Sequence, residues 1–131
     1  MAHATLPQPL DLRLYRGDDF FCGFLYSERD AVTQAPTITS VTGWVATSQF
    51  RESAGGRIWL TLAAGSGLDL TVQNGSLVAS MHVLGGQTSG VEWDTRTAGV
   101  WDLQVISPLG VSTTVFAGRV FIAPDVTRPV L

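Results

Sequence analysis

Two β-rich runs joined by a short turn, within residues 99–122, constrain the fold of this chain more than any other stretch. Between Trp101 and Val105, apolar residues alternate with polar ones, and this period of two predicts a strand with one buried face. The turn sequence Ser-Pro-Leu-Gly follows over residues 107–110, with proline and glycine at positions that favour them. The second run, over residues 111–122, is rich in Val, Thr and Phe. The stretch therefore predicts a central antiparallel hairpin.

Six shorter runs with strand-like patterns precede this hairpin, at residues 12–15, 20–26, 41–51, 58–62, 68–72 and 77–81. Between the last two, Asn74-Gly75 is a strong hairpin signal, because a type I′ turn needs positive φ at both central positions. A polar connection over residues 85–98 follows and has room for one helical turn. About eight strands at regular spacing predict an all-β fold of two sheets packed face to face. A closed barrel is the structural alternative.

The start of the first hairpin strand is similar to a corner found in immunoglobulin-like domains. In those domains a Tyr two residues after a small residue anchors the strand to the preceding loop. Trp101 follows Gly99 at that spacing, and its indole N–H is a donor as the phenol is. We therefore expect a single immunoglobulin-like two-sheet β-sandwich over residues 11–123. Residues 1–10 are predicted to form an extended N-terminal arm, and residues 124–131 a C-terminal tail.

Composition excludes several classes of partner. The chain has 131 residues, enough for one domain with one core, and a net charge of −3. All eight basic residues are Arg, and they are scattered along the chain, so no basic stripe predicts nucleic-acid binding. No apolar run reaches the length of a membrane span, so no membrane partner is expected. With one cysteine, no disulfide forms within the chain.

Candidate catalytic groups are few. The two histidines are His3 and His82, and the one cysteine is Cys22. A Cys22/His82 pair would supply a nucleophile and a base, but the apolar run around Cys22 is typical of a small buried side chain. Asp18 and Asp19 are paired carboxylates that we expect to cap a turn, because adjacent strand-end residues point apart. We therefore expect no catalytic residue, no cofactor and no metal site, and a protein that is not an enzyme.

The four tryptophans suggest two kinds of contact. Aromatic faces stack on sugars, so a carbohydrate-binding module is a distant alternative. Trp44, Trp59 and Trp101 fall in alternating strands and are expected in the core. Trp93 falls in the polar connection, and we predict that it is exposed and contacts a partner, as tryptophan does at interface hot spots.

The order of several short motifs resembles a family of small β-sandwich proteins in tailed phages. Members include collar proteins at the tail tip that attach side fibres, and similar domains at the start of baseplate and minor tail proteins. The family pattern is a GDxF strand, a Leu-Thr-Gly strand with a following Arg, a G-x-Y-D-L strand and a terminal G-x-V…D-V-T-R. This chain has DLRLYRGDDFF from Asp11, VTGWVA from Val41, GVWDLQV from Gly99, and AGRV before a final PDVTR. Trp101 replaces the usual Tyr, and Val replaces the Leu of Leu-Thr-Gly.

The resemblance implies a structural virion protein, assembled in the host cytoplasm. It would be a minor tail or tail-tip collar component that forms a symmetric ring and links tail tube, baseplate or fibre proteins. A head decoration protein on the capsid is the alternative. In a ring, neighbouring subunits would bury the two apolar ends of the chain. The expected interface residues at those ends are Pro7, Pro9, Leu10, Asp125, Arg128, Pro129, Val130 and Leu131.

Overall fold

The computed structural model describes residues 7–124, which form nine strands and two short 3₁₀ helices. The 3₁₀ helices, Gly85–Gln87 and Val91–Thr95, lie between the seventh and eighth strands, and the described residues contain no α-helix. None of the helices in this part of the chain is long and apolar enough to cross a membrane. The strands are β1 (Gln8–Pro9), β2 (Leu12–Tyr15), β3 (Phe20–Tyr26), β4 (Val45–Arg51), β5 (Ile58–Ala64), β6 (Gly67–Gln73), β7 (Ser76–Val83), β8 (Ala98–Ile106) and β9 (Ser112–Ala123).

The strands are hydrogen-bonded in the order β1-β9-β8-β4-β5-β6-β7-β3, with β2 also paired to β9. The strip folds into two layers between β5 and β6, which pair in parallel at only two positions, Ala63 with Gly67 and Ala64 with Leu68. At the other end, no pairing within residues 7–124 joins β3 to β1. The predicted two-sheet sandwich is therefore confirmed, with one strand more than expected, and the strip does not close into the alternative barrel.

This strand order is that of an immunoglobulin-like sandwich. Strands β9, β8 and β4 correspond to G, F and C of that fold, and β5 to the C′ strand that variable-type domains add. In the second layer, β3, β7 and β6 correspond to B, E and D. The chain has an immunoglobulin-like fold.

The central hairpin forms as its sequence pattern predicts. Strands β8 and β9 are antiparallel over nine residue pairs. Trp101, Leu103 and Val105 are each at most 2% exposed, and they pack against the opposite layer through residues such as Phe24. The predicted type I′ turn between β6 and β7 is also present, with φ of 52° at Asn74 and 79° at the following glycine.

The indole of Trp101 donates a hydrogen bond, as predicted, although its acceptor differs from the expected one. Its Nε1 lies 2.8 Å from the carbonyl oxygen of Leu10, in the N-terminal segment rather than in the loop before β8. The Leu10 amide in turn donates to the Ala117 carbonyl on β9 at 3.0 Å, and Asp11 Oδ1 accepts from the Arg119 amide at 2.9 Å. These hydrogen bonds hold Leu10 and Asp11 against β8 and β9.

The predicted arm belongs to the sandwich from residue 8 onward. Gln8 and Pro9 form β1, which pairs in parallel with Phe116 and Ala117 at the margin of the sheet. An edge position suits Pro9, because proline has no amide hydrogen to donate. Gln8, Pro9 and Leu10 are therefore ordered by their own domain, and their burial by neighbouring subunits stays a prediction. The tail residues predicted to form an interface (Asp125, Arg128, Pro129, Val130 and Leu131) lie outside the described residues.

Candidate functional site

Two loops form a groove at one end of the sandwich. The long loop over residues 27–44 joins β3 to β4, and the short turn over residues 107–111 joins β8 to β9. They correspond to the B–C and F–G loops, which carry recognition residues in variable immunoglobulin domains. The groove between them has a volume of about 460 Å³. We call it the loop-end groove.

The long loop is held by its own backbone and by a short side chain. Asp30 Oδ1 accepts the amides of Val32 and Thr33, both at 2.9 Å. These backbone N–H groups, that of Thr33 before that of Val32, hold the pKa of Asp30 below its ordinary value. The Asp30 amide donates to the Ala35 carbonyl at 2.9 Å, and Arg29 pairs with Pro36. The tip therefore has defined geometry.

Ile38 anchors the middle of the long loop to the second layer. Its side chain is 4% exposed and belongs to the core, and its amide donates to the Gly75 carbonyl at 3.0 Å. On the other side, the Gly43 backbone packs against Pro108 of the short turn. The long wall is therefore anchored to the sandwich, and the short turn packs against it.

The groove combines apolar surface with hydroxyl groups. Leu109 and Val111 are 91% and 60% exposed on the short turn, and Trp44 is half-buried on the opposite wall. Hydroxyls of Ser and Thr line both walls, and Glu28 is the one charged residue among the lining residues. Such a surface suits an uncharged segment of another protein, because apolar contact at the tip is combined with hydrogen-bond donors and acceptors.

The prediction that Trp93 is an exposed contact residue is wrong. Trp93 is 3% exposed and lies in the second 3₁₀ helix, edge-on to Trp59 with ring centroids 6.0 Å apart. The guanidinium of Arg96 covers it, 4.6 Å from the ring centroid. The indole is therefore part of the core and is closed off by a cation–π contact.

Arg16 holds the connection that carries Trp93. It forms an ion pair with Asp94 and donates to the carbonyls of Thr88 at 3.3 Å and Gly90 at 3.0 Å. The next amide, that of Gly17, donates to the Thr88 hydroxyl at 2.9 Å. Sequence periodicity cannot find this burial, because Arg16 and Asp94 are 78 residues apart.

Asp19 also caps this connection, whereas we predicted that it would cap its own turn. Its Oδ1 accepts the Gly85 amide at 2.7 Å, and its Oδ2 lies 3.0 Å from His82 Nε2. The hydrogen bond from His82, followed by that from the Gly85 amide, lowers the pKa of Asp19. Because the folded pKa is depressed, the associated stability is present above the ordinary value of 3.8 and is lost as the pH falls through the folded value.

We expect His82→Gln to raise the pKa of Asp19 toward 3.8, because the imidazole provides the largest stabilisation of the carboxylate. Carbon-13 NMR titration of the carboxyl groups measures this change. Asp30 is the matched control, since backbone amides lower its pKa and His82 is not among its contacts. An Asp19 titration that is identical in both proteins would contradict the His82 contact.

The Cys22/His82 pair does not form. Cys22 faces the core and is half-buried, whereas His82 stacks on the outward-facing Phe21 with ring centroids 4.0 Å apart. Burial raises the pKa of the Cys22 thiol, which disfavours the thiolate. Within residues 7–124, no group of three His, Cys, Asp or Glu is arranged to hold a metal ion. His3 lies outside the described residues.

The tryptophans do not form an exposed platform for sugars. Trp101 is buried in the core, as predicted, while Trp44 and Trp59 are only half-buried. Trp59 lies under the guanidinium of Arg96 at 5.6 Å, and Trp44 contacts Tyr26 with ring centroids 6.0 Å apart. Of the four, Trp44 is the one that lines the loop-end groove.

Exposed aliphatic and phenylalanine side chains mark two further apolar surfaces, outside the contact residues predicted from the sequence. One set lies at loop tips, where Val32 is 90% and Leu109 is 91% exposed. A second pair lies on β3, where Phe21 and Leu25 are 69% and 58% exposed. The alternation in 20–26 already places these two residues opposite the core-facing ones, so the sequence carried this signal.

No family model and no curated protein matches this chain. One similar solved structure comes from a photo-crosslinking analysis of multimeric cell-adhesive interactions of VGSC β subunits. It shares 10% identity, has a TM-score of 0.48, and covers 95% of this chain and 98% of that one. The titin M10–obscurin-like 1 Ig complex shares 16% identity and has a TM-score of 0.38, and the match covers 93% of this chain and 92% of that one. A third similar structure is that of parallel homodimers of the extracellular domains of the voltage-gated sodium channel β4 subunit. It shares 9% identity, has a TM-score of 0.33, and covers 100% of this chain and 98% of that one. The fold assignment therefore rests on strand order.

Proposed function

We propose that this protein is a structural subunit of a tailed-phage particle, at the tail tip, and that it binds a neighbouring virion protein through the loop-end groove. The groove carries the proposal, because Leu109 and Val111 project beside it from a turn that is closed by hydrogen bonds between Ser107 and Val111. Apolar residues on a turn that is already ordered lose little conformational entropy when an interface buries them. The motif order from residue 11 to residue 128 supplies the phage context by resemblance.

A symmetric ring of copies is part of this proposal. A ring needs two different surfaces on each subunit that fit each other and close after a full rotation. The loop end and the opposite end of the sandwich each expose a large aliphatic side chain, Leu109 at one and Val91 at the other. Fibre, baseplate or tail-tube proteins would then bind to the ring.

The location of the protein on particles tests the proposal. We expect gold-labelled antibody against the chain to bind at one end of the tail of intact virions. Labelling distributed over the head would instead support the decoration-protein alternative. Virions without any label would contradict both assignments.

We expect Leu109→Asp to lower incorporation into particles at least about tenfold, since a carboxylate buried at an interface without a partner costs more than about 1.4 kcal/mol. Quantitative immunoblotting of purified particles measures this loss. Val32→Asp is the matched control, because Val32 is equally exposed at the tip of the long loop but is not among the residues that line the groove. Equal incorporation of both variants would show that the groove is not the contact. For the carbohydrate alternative, the same variants are compared on a glycan array.

A further inference from the structure

Strand β3 is an edge strand without the usual protection. Within residues 7–124 it pairs only with β7, so its other side presents unpaired backbone groups. Natural edge strands avoid association by charged side chains, proline or very short length. β3 has seven residues, FFCGFLY, with no charge and no proline.

The exposed face of β3 is apolar and held in place. Phe21 and Leu25 are 69% and 58% exposed, and Gly23 lies between them. The Phe21 ring stacks on His82, which is itself hydrogen-bonded to Asp19. A side chain that is already ordered loses less entropy when it forms a contact.

The pattern around Gly23 is complementary to itself. In an antiparallel pair centred on this residue, Phe21 of one copy lies directly opposite Leu25 of the other, and the same pair recurs across the two-fold axis. Directly opposite residues point to the same face of a sheet, so both pairs form on the outer surface. Gly23 meets itself at the centre, where a Cβ on this residue would have no atom of residues 7–124 within 4 Å.

We infer that β3 is a homodimer contact, in which two copies pair their β3 strands antiparallel about a two-fold axis through Gly23. A second copy fits this edge because the contact needs no charge complement and each strand supplies both halves of the apolar pattern. The contact goes beyond the proposed function. It joins subunits in pairs, whereas a ring uses two different surfaces, and it holds whether or not the protein is part of a phage.

Cysteine cross-linking tests the register. In a Cys22→Ser background, Gly23→Cys places two thiols on Cα atoms about 4.5–5.5 Å apart, which is within disulfide reach. The matched control is Ser80→Cys, on the neighbouring β7 strand opposite Gly23. Its Cα atoms would be three strand spacings apart, about 14 Å, which is beyond reach. We expect covalent dimers from Gly23→Cys only, and equal dimer yields from the two variants would overturn the proposal.

Charge on the edge tests the contact without any cross-link. We expect Phe21→Lys/Leu25→Lys to weaken dimerisation at least about tenfold, because two apolar pairs are lost and like charges face each other. Sedimentation equilibrium measures the change, and circular dichroism shows that the fold is kept. Val45→Lys/Ile58→Lys is the control, since it places the same two charges at exposed aliphatic positions of β4 and β5, in the other layer and outside the loop-end groove, and leaves the dimer intact. A purely monomeric wild type, or a dimer that the β3 lysines do not affect, would overturn the inference.

Residues 1–6 are the alternative occupant of this edge, because Gln8 lines a cleft together with Leu25 and Tyr26. Hydrogen exchange separates the two. For a dimer, protection of the β3 amides rises with protein concentration and persists when residues 1–6 are deleted. Protection that does not depend on concentration and disappears in the deletion variant would assign the edge to the chain's own N-terminus and overturn the homodimer.

Discussion

Trp101→Ala is expected to destabilise the domain by about 3–5 kcal/mol, since it removes a buried aromatic side chain and leaves a cavity. Trp101 is 2% exposed and contacts Phe24 and Phe50, with ring centroids 5.4 and 6.4 Å away. The total stability of a single domain is typically about 5–15 kcal/mol, so this loss is a large part of it. Urea denaturation followed by tryptophan fluorescence and circular dichroism measures the free energy of unfolding.

Trp101→Phe separates the hydrogen bond from the packing. Phenylalanine keeps much of the apolar volume but leaves the Leu10 carbonyl without its indole donor. We expect a smaller loss for Trp101→Phe than for Trp101→Ala, with faster hydrogen exchange confined to β1 and its partner residues on β9. Equal losses of stability for the two variants would show that the hydrogen bond, and not the packing, dominates.

The burial of Trp93 changes the expected difference in stability between the Trp101→Ala and Trp93→Ala variants. The sequence predicts that Trp93→Ala affects assembly and has little effect on the isolated domain. Because Trp93 is 3% exposed, we now expect Trp93→Ala to be strongly destabilising as well. A small loss in the isolated domain would contradict the burial of this indole.

Gly118→Ala is also expected to have a large effect, a loss of about 1–3 kcal/mol of stability from overpacking. A Cβ at residue 118 would overlap the carbonyl oxygen of Leu10 and lie 2.7 Å from its carbonyl carbon. These are backbone atoms, so no side-chain rotation relieves the overlap. We expect the segment around Leu10 to separate from β9, with loss of the bond from the Trp101 indole.

Limited proteolysis and thermal unfolding test this prediction together. Cleavage before residue 11 should become faster in Gly118→Ala, and the melting temperature should fall. Gly86→Ala is the matched control, since no atom of the described residues lies within 4 Å of a Cβ at that exposed glycine. Unchanged cleavage and melting in Gly118→Ala would show that the N-terminal segment is not held against this strand.

The fold was largely predictable because it depends on local signals. Period-two alternation identified eight of the nine strands, and Asn74-Gly75 identified one hairpin, since side-chain direction and turn chemistry are properties of neighbouring residues. The missing strand, Gln8–Pro9, has two residues and no pattern of its own. Its pairing depends on backbone hydrogen-bonding groups of β9, which are more than 100 residues away in sequence.

The candidate sites depended more on tertiary structure. Trp93 was predicted as a contact residue from its residue type and its position in a polar connection. The prediction was wrong because the ion pair between Arg16 and Asp94 holds that connection against the sandwich. The loop-end groove requires two loops that are about 70 residues apart, brought together because β3, β4, β8 and β9 end at the same side of the sandwich. No pattern within either loop indicates the other.

By itself, the sequence determined the fold class, the central hairpin and the burial of Trp101, because these follow from alternation and turn chemistry within short windows. It also placed Phe21 and Leu25 on one face of their strand, opposite Phe20, Cys22 and Phe24. Only the tertiary structure decided that β3 lies at an edge, that Trp93 is buried and that Leu10 accepts the Trp101 indole. The reason is physical: the neighbours of a strand are set by pairing between distant segments, and local residues fix only its direction and its faces.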